Sequence, residues 1–92
     1  SLLILGFITN KSDLIKARTY YDEALALAQK LNNEKLIAKA YKDIGQNYGT
    51  QGSFSKASEY HMKALNIFKK LNDKREIADI YIKLANNRTK QQ

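Results

Sequence analysis

The sequence predicts an all-α fold of stacked antiparallel helix pairs, and three observations carry that prediction. Proline is absent and glycine occurs only four times, so long helices are interrupted by nothing but short turns. Apolar residues recur at three-and-four spacing in four successive blocks, with no alternating strand pattern. The chain also repeats itself at an offset of 40 residues. Such a period marks supersecondary units that bury their apolar faces only against one another.

Each element follows from local pattern. Residues 1–8, SLLILGFI, form the one continuous apolar run. The run is far shorter than the roughly 20 residues a membrane span requires; residues 1–9 are expected to be the end of a groove-lining helix, in a chain that is a fragment of a longer array. The first full helix is expected near 13–31, where Leu14, Ala17, Tyr20, Tyr21, Ala24, Leu25, Ala28 and Leu31 share one face. The second, near 34–50, has Ile37, Tyr41, Ile44, Gly45 and Tyr48. The third, near 54–71, has Phe54, Ala57, Tyr60, His61, Ala64, Leu65, Phe68 and Leu71. The fourth, near 74–90, has Ile77, Tyr81, Leu84 and Ala85.

Capping chemistry sets the boundaries. Ser12 or Asp13, Asn33, Ser53 and Asp73 stand where N-caps are needed, and Asp73 with Glu76 has the spacing of a reciprocal capping box. Gly49 and Gly52 bracket the strongest break. Between the two halves Lys16, Ala17, Tyr20, Ala24, Leu25, Lys30, Leu31 and Asn32 recur in order as Lys56, Ala57, Tyr60, Ala64, Leu65, Lys70, Leu71 and Asn72. Ile37, Ala38, Tyr41 and Asn47 likewise recur as Ile77, Ala78, Tyr81 and Asn87. A shared helical period alone does not align two helices and the turn between them without a gap.

Composition narrows the function. With 43% hydrophobic and 27% charged residues the chain is that of a folded domain, and 92 residues make one small domain. The absence of cysteine excludes disulfides and thiolate metal sites. A net charge of +7 raises the possibility of nucleic acid. The bases, however, are interleaved with Asp and Glu and no run exceeds two, as on a solvated helical surface. A single histidine, His61, can build neither a metal site nor a nucleophile pair, and it reads as an aromatic substitute in a helix interface. Asp13, Asp22 and Glu23 lie on one surface helix, with no pocket to shift their pKa values for acid–base work. Gly49-Thr50-Gln51-Gly52 lacks the Lys-Ser or Lys-Thr of a phosphate loop. The reading is no enzyme, no cofactor and no metal.

Residues 38–71, AKAYKDIGQNYGTQGSFSKASEYHMKALNIFKKL, resemble a tetratricopeptide repeat. Tyr41 stands at the large aromatic position, Ile44 and Gly45 at the Leu-Gly pair, Tyr48 at the second aromatic, and Ala57 and Ala64 at the small positions of the second helix. His61 departs from the pattern by standing where Phe or Tyr is usual, and no proline follows the second helix. The resemblance makes the chain a tetratricopeptide-like α-solenoid. Residues 13–31 would be the second helix of one repeat, 34–71 a full repeat, and 74–90 the first helix of the next. The 40-residue period exceeds the family's usual length of about 34 and resembles the longer-helix subgroup of bacterial sensor kinases and regulators.

The resemblance implies a scaffold that binds a peptide or partner helix in a concave groove lined by the first helix of each pair. On the second helix the groove residues would be Lys39, Lys42, Asp43, Gln46 and Asn47; on the fourth, Asp79, Ile82, Lys83 and Asn86. This face is polar and mixed in charge, which suits a protein partner and argues against a phosphate backbone. The carboxylate clamp of chaperone-binding members is matched only at Lys42, because Gln46 and Lys83 stand where that clamp has Asn. Ile77, Ile80, Tyr81, Ile82 and Leu84 cover more of the fourth helix than one packing face needs. A homodimer through the terminal helices, or a structural spacer, is the alternative they suggest.

Overall fold

The computed structural model describes residues 11–91. They form four helices: α1 (Lys11–Lys30), α2 (Glu34–Thr50), α3 (Phe54–Lys70) and α4 (Lys74–Gln91). The run at 1–9, expected as the end of a groove helix, lies outside the described residues. Each helix packs chiefly on its neighbour in sequence: α1 on α2, α2 on α3, and α3 on α4.

One turn design is used three times. Asn32, Gly52 and Asn72 have positive φ (55°, 87° and 59°) and so stand 20 residues apart. The amide after each bonds to the carbonyl five residues back, Asn33 to Ala28, Ser53 to Tyr48 and Asp73 to Phe68, at 3.1, 2.9 and 3.0 Å. This left-handed closure satisfies carbonyls that the last helical turn leaves free, and Gly and Asn are the residues that enter it at least cost. The residue that closes the turn then opens the next helix. The Asn33 side chain accepts the Leu36 amide at 3.1 Å, and Asp73 accepts that of Glu76 at 3.3 Å.

Local chemistry departs from expectation at four places. Ser12 and Asp13, expected as N-cap candidates, lie within α1, which is helical from Lys11 onward. Ser53 stands at the N-cap of α3 without a side-chain cap bond. The capping box at Asp73 is half made: Glu76 reaches to Lys42 Nζ, 2.6 Å away on α2, instead of back to its own helix start. Gly49 belongs to α2, where a Cβ would meet Asn87 and Ala57 only at ordinary van der Waals distance, and Gly52 makes the turn.

The core lies where α2, α3 and α4 meet. Ala38, Ala64, Leu65, Phe68 and Ile80 are buried together, with Tyr41, Ile67, Ile77 and Leu84 packed around them. Ala38 and Ala64 let helix backbones approach closely there, and Ala57 is also fully buried. Tyr60 meets Tyr41 at 6.0 Å and Tyr48 at 5.5 Å between ring centroids, and the Arg18 guanidinium lies 4.1 Å over Tyr48.

The terminal helices correct several expected core positions. Tyr20 is 71% exposed although its counterpart Tyr60 is half-buried, and Tyr81 is 49% exposed although Tyr41 is packed on the core. Ala24, Leu31 and Ala85 are exposed as well. Helix α3 has neighbours on both flanks, whereas among the described residues α1 and α4 each pack chiefly on one. The apolar excess of α4 also divides: Ile80 is 0% exposed and faces α3, while Ile82 is 60% exposed.

Candidate functional site

Helices α2 and α4 lie side by side with α3 behind them. At their N-terminal halves they are tied by Lys42, whose ammonium reaches Glu76 at 2.6 Å and Asp79 at 3.4 Å. Burial works against the charge of Lys42, but the hydrogen bond and charge of Glu76, with those of Asp79, outweigh it and raise the pKa. Of the expected groove residues, Lys42 and Asp79 are therefore engaged with each other. Lys83 Nζ makes a looser approach to Asp79 at 3.8 Å.

The other expected groove residues fall into three environments. Lys39, Gln46, Ile82 and Asn86 are exposed. Asp43 is half-buried, and burial lifts its carboxyl above the ordinary range against the pull of Lys42 and Lys39. Asn47, expected on the groove, is instead buried between helices. Its amide nitrogen donates to the Leu14 carbonyl of α1 at 3.0 Å, and its oxygen accepts from Gln51 at 2.8 Å.

Toward their C-terminal halves α2 and α4 part, leaving a cleft of about 240 Å³. Gln46 and Thr50 line one wall, Lys83, Asn86, Asn87 and Lys90 the other, and Phe54 and His61 of α3 the floor. A second cleft, about 430 Å³, opens on the other side of α2, with Asp43, Gln46, Asn47 and Thr50 as its wall and Leu14 and Tyr21 of α1 beneath. Thr50, Asn87 and Lys90 were not expected from sequence. The 40-residue offset contains the signal, since Asp43, Gln46, Asn47 and Thr50 map onto Lys83, Asn86, Asn87 and Lys90.

His61 is buried with its ring edge against Gly45: a Cβ added there would lie 2.8 Å from Cε1 and 2.9 Å from Nδ1. Gly45 is needed for that close approach. Burial, with the nearby charges of Lys83 and Lys42, pushes the His61 pKa down to about 4 against the opposing effect of Asp79. The imidazole is neutral at pH 7. Among the described residues no group of three or more His, Asp or Glu side chains could hold a metal ion, and no helix is long and apolar enough to cross a membrane.

A sequence model of one family, described as Tetratricopeptide repeat, matches residues 6–70. No curated protein sequence is significantly similar to this chain.

Proposed function

This chain belongs to the tetratricopeptide repeat family, whose repeats generally act as non-catalytic scaffolds for protein–protein interaction, and on that premise we propose that α2 and α4 hold a peptide or partner helix in the groove between them. The observation that carries this reading is the pairing of those helices. They are locked together at one end by Lys42, Glu76 and Asp79 and open at the other into a cleft lined by amides, a hydroxyl and two lysines. Partly buried ion pairs hold the walls at a set spacing, so the cleft exists before a partner arrives and less ordering is required on binding.

The 40-residue period supports a finer assignment, the repeat region of a signalling or regulatory protein such as a sensor kinase. Groove binding is tested by selecting ligands from a random peptide library on the wild-type chain and re-measuring them on variants. Gln46→Trp with Asn86→Trp fills the cleft mouth, and Glu59→Lys alters an exposed site on α3. The selected peptides should lose affinity for the first variant and keep it for the second. Retention by the filled groove would falsify the reading.

The exposed Ala78, Tyr81, Ile82 and Ala85 of α4 favour a second reading, a dimerising spacer. Light scattering over a hundredfold concentration range tests it, and a constant monomer mass excludes it.

A further inference from the structure

Among the described residues the two clefts flanking α2 share a wall and a floor in repeat register, with the charge reversed. One wall of each occupies the same positions 40 residues apart: Asp43 against Lys83, Gln46 against Asn86, Asn47 against Asn87, and Thr50 against Lys90. Their floors correspond as well, Leu14 to Phe54 and Tyr21 to His61. Among the described residues the α1/α2 cleft is lined by two carboxylates, Asp13 and Asp43, and by no cation. The described lining of the α2/α4 cleft has two ammonium groups, Lys83, which lies 3.8 Å from Asp79, and Lys90, and no carboxylate.

A second difference points the same way. Asn47 spends its amide N–H on the Leu14 carbonyl, whereas Asn87, only 7% exposed, has an Nδ2 that makes no hydrogen bond. The second cleft thus adds an unused buried donor to its two cations, and a buried donor without an acceptor is costly. A ligand group that accepts hydrogen bonds and carries negative charge matches this lining. A side-chain carboxylate is such a group. The first cleft, whose described lining carries two carboxylates beside amide and hydroxyl groups that can accept, suits a Lys or Arg side chain.

We propose that the groove selects a peptide of mixed charge, with one basic side chain entering the α1/α2 cleft and one acidic side chain entering the α2/α4 cleft. The proposal rests on the groove reading and specifies its ligand. Packed helices lie roughly 8–10 Å apart, and a polyproline II chain advances roughly 3.1 Å per residue and returns to the same face every third residue. The two charges therefore stand roughly three residues apart on one face of a ligand in that conformation. Opposite charges at fixed spacing discriminate by attraction at the matched cleft and by repulsion at the mismatched one.

The experiment uses the 92-residue chain and C-terminally amidated peptides on a common neutral background, carrying Lys-x-x-Glu, Glu-x-x-Lys, Lys-x-x-Lys or Glu-x-x-Glu. Affinities are read by fluorescence anisotropy at several salt concentrations. One or both mixed peptides should bind roughly tenfold tighter than either like-charged peptide, with the preference shrinking as salt rises. Lys83→Asp with Lys90→Asp should move the preference to Lys-x-x-Lys, and Asp13→Lys with Asp43→Lys should move it to Glu-x-x-Glu. If a reversed variant does not fold, as judged by circular dichroism, Lys83→Gln with Lys90→Gln serves instead and should abolish discrimination between Glu and Gln in the peptide. Binding of all peptides without charge preference overturns the proposal and leaves the groove reading standing. So does binding that requires a free C-terminal carboxylate. If no peptide binds, and the library yields none, the groove reading itself falls.

Discussion

His61 is a buried titratable residue, and its protonation couples to folding. The ring is buried, and placing a charge there costs desolvation as well as repulsion from Lys83 and Lys42, which Asp79 only partly offsets. A base with a lowered folded pKa binds its proton more readily in the unfolded chain. Above pH ~6.5 neither state is protonated at this site, and it has no effect on stability. As pH falls from 6.5 toward the folded value of about 4, the unfolded state gains the proton first and the fold loses on the order of 3 kcal/mol. Melting midpoints of wild type and His61→Phe, compared from pH 8 to pH 4, should diverge across that window, the wild type falling faster. Parallel curves would mean that the ring is accessible to solvent.

At the scale of elements, the turns and the faces of α4 make separate predictions. Gly52 has φ of 87°, and a Cβ added there meets nothing within 4 Å, so replacing it costs backbone strain alone. Gly52→Ala should lower stability by about 1 kcal/mol in urea denaturation. Gly52→Asn should cost less, because Asn already fills the equivalent positions 32 and 72. On α4 the adjacent isoleucines should respond oppositely. Ile80→Lys places an ammonium in a fully buried site against α3 and should cost several kcal/mol, enough to unfold a small domain. Ile82→Lys changes an exposed position and should stay within about 0.5 kcal/mol. Thermal melts of the two variants check the assignment of faces.

The whole molecule is a stack in which the main interfaces join elements adjacent in sequence. Contacts of short sequence separation close with little loop entropy, so refolding after dilution from urea should be complete in about a millisecond or less. With no proline in the chain there is no cis–trans isomerisation to delay it, and no phase of tens of seconds is expected. Stopped-flow or temperature-jump fluorescence of the tyrosines measures both. The same nearest-neighbour order explains the limited reach of each helix: Lys42, by contacting Glu76 and Asp79, is a connection that skips an element. It joins α2 and α4 directly.

The four helices, their ends to within two residues, and the 40-residue register were legible in the sequence because they rest on local physics. Helical periodicity, Asn33 and Asp73 as caps, and the breaks between blocks act within a few residues of where they stand. Burial was not legible in the same way. Tyr20 and Tyr60 sit at one repeat position, as do Tyr41 and Tyr81, and Ala38 and Ala78, yet one member of each pair is covered and the other exposed. The pattern of a helix specifies which face is apolar, while the neighbouring helix determines whether that face is buried. The candidate site divides along the same line. Its candidate positions on α2 and α4 were read from the repeat, but the pairing of Lys42 with Glu76 and Asp79, the burial of Asn47, and the opening of a cleft onto Asn87 and Lys90 depend on where separate helices meet. Sequence alone determined the units and their order; the tertiary structure decided which side chains remain available, because hydrogen bonds and ion pairs between helices are formed by three-dimensional proximity and not by position in the chain.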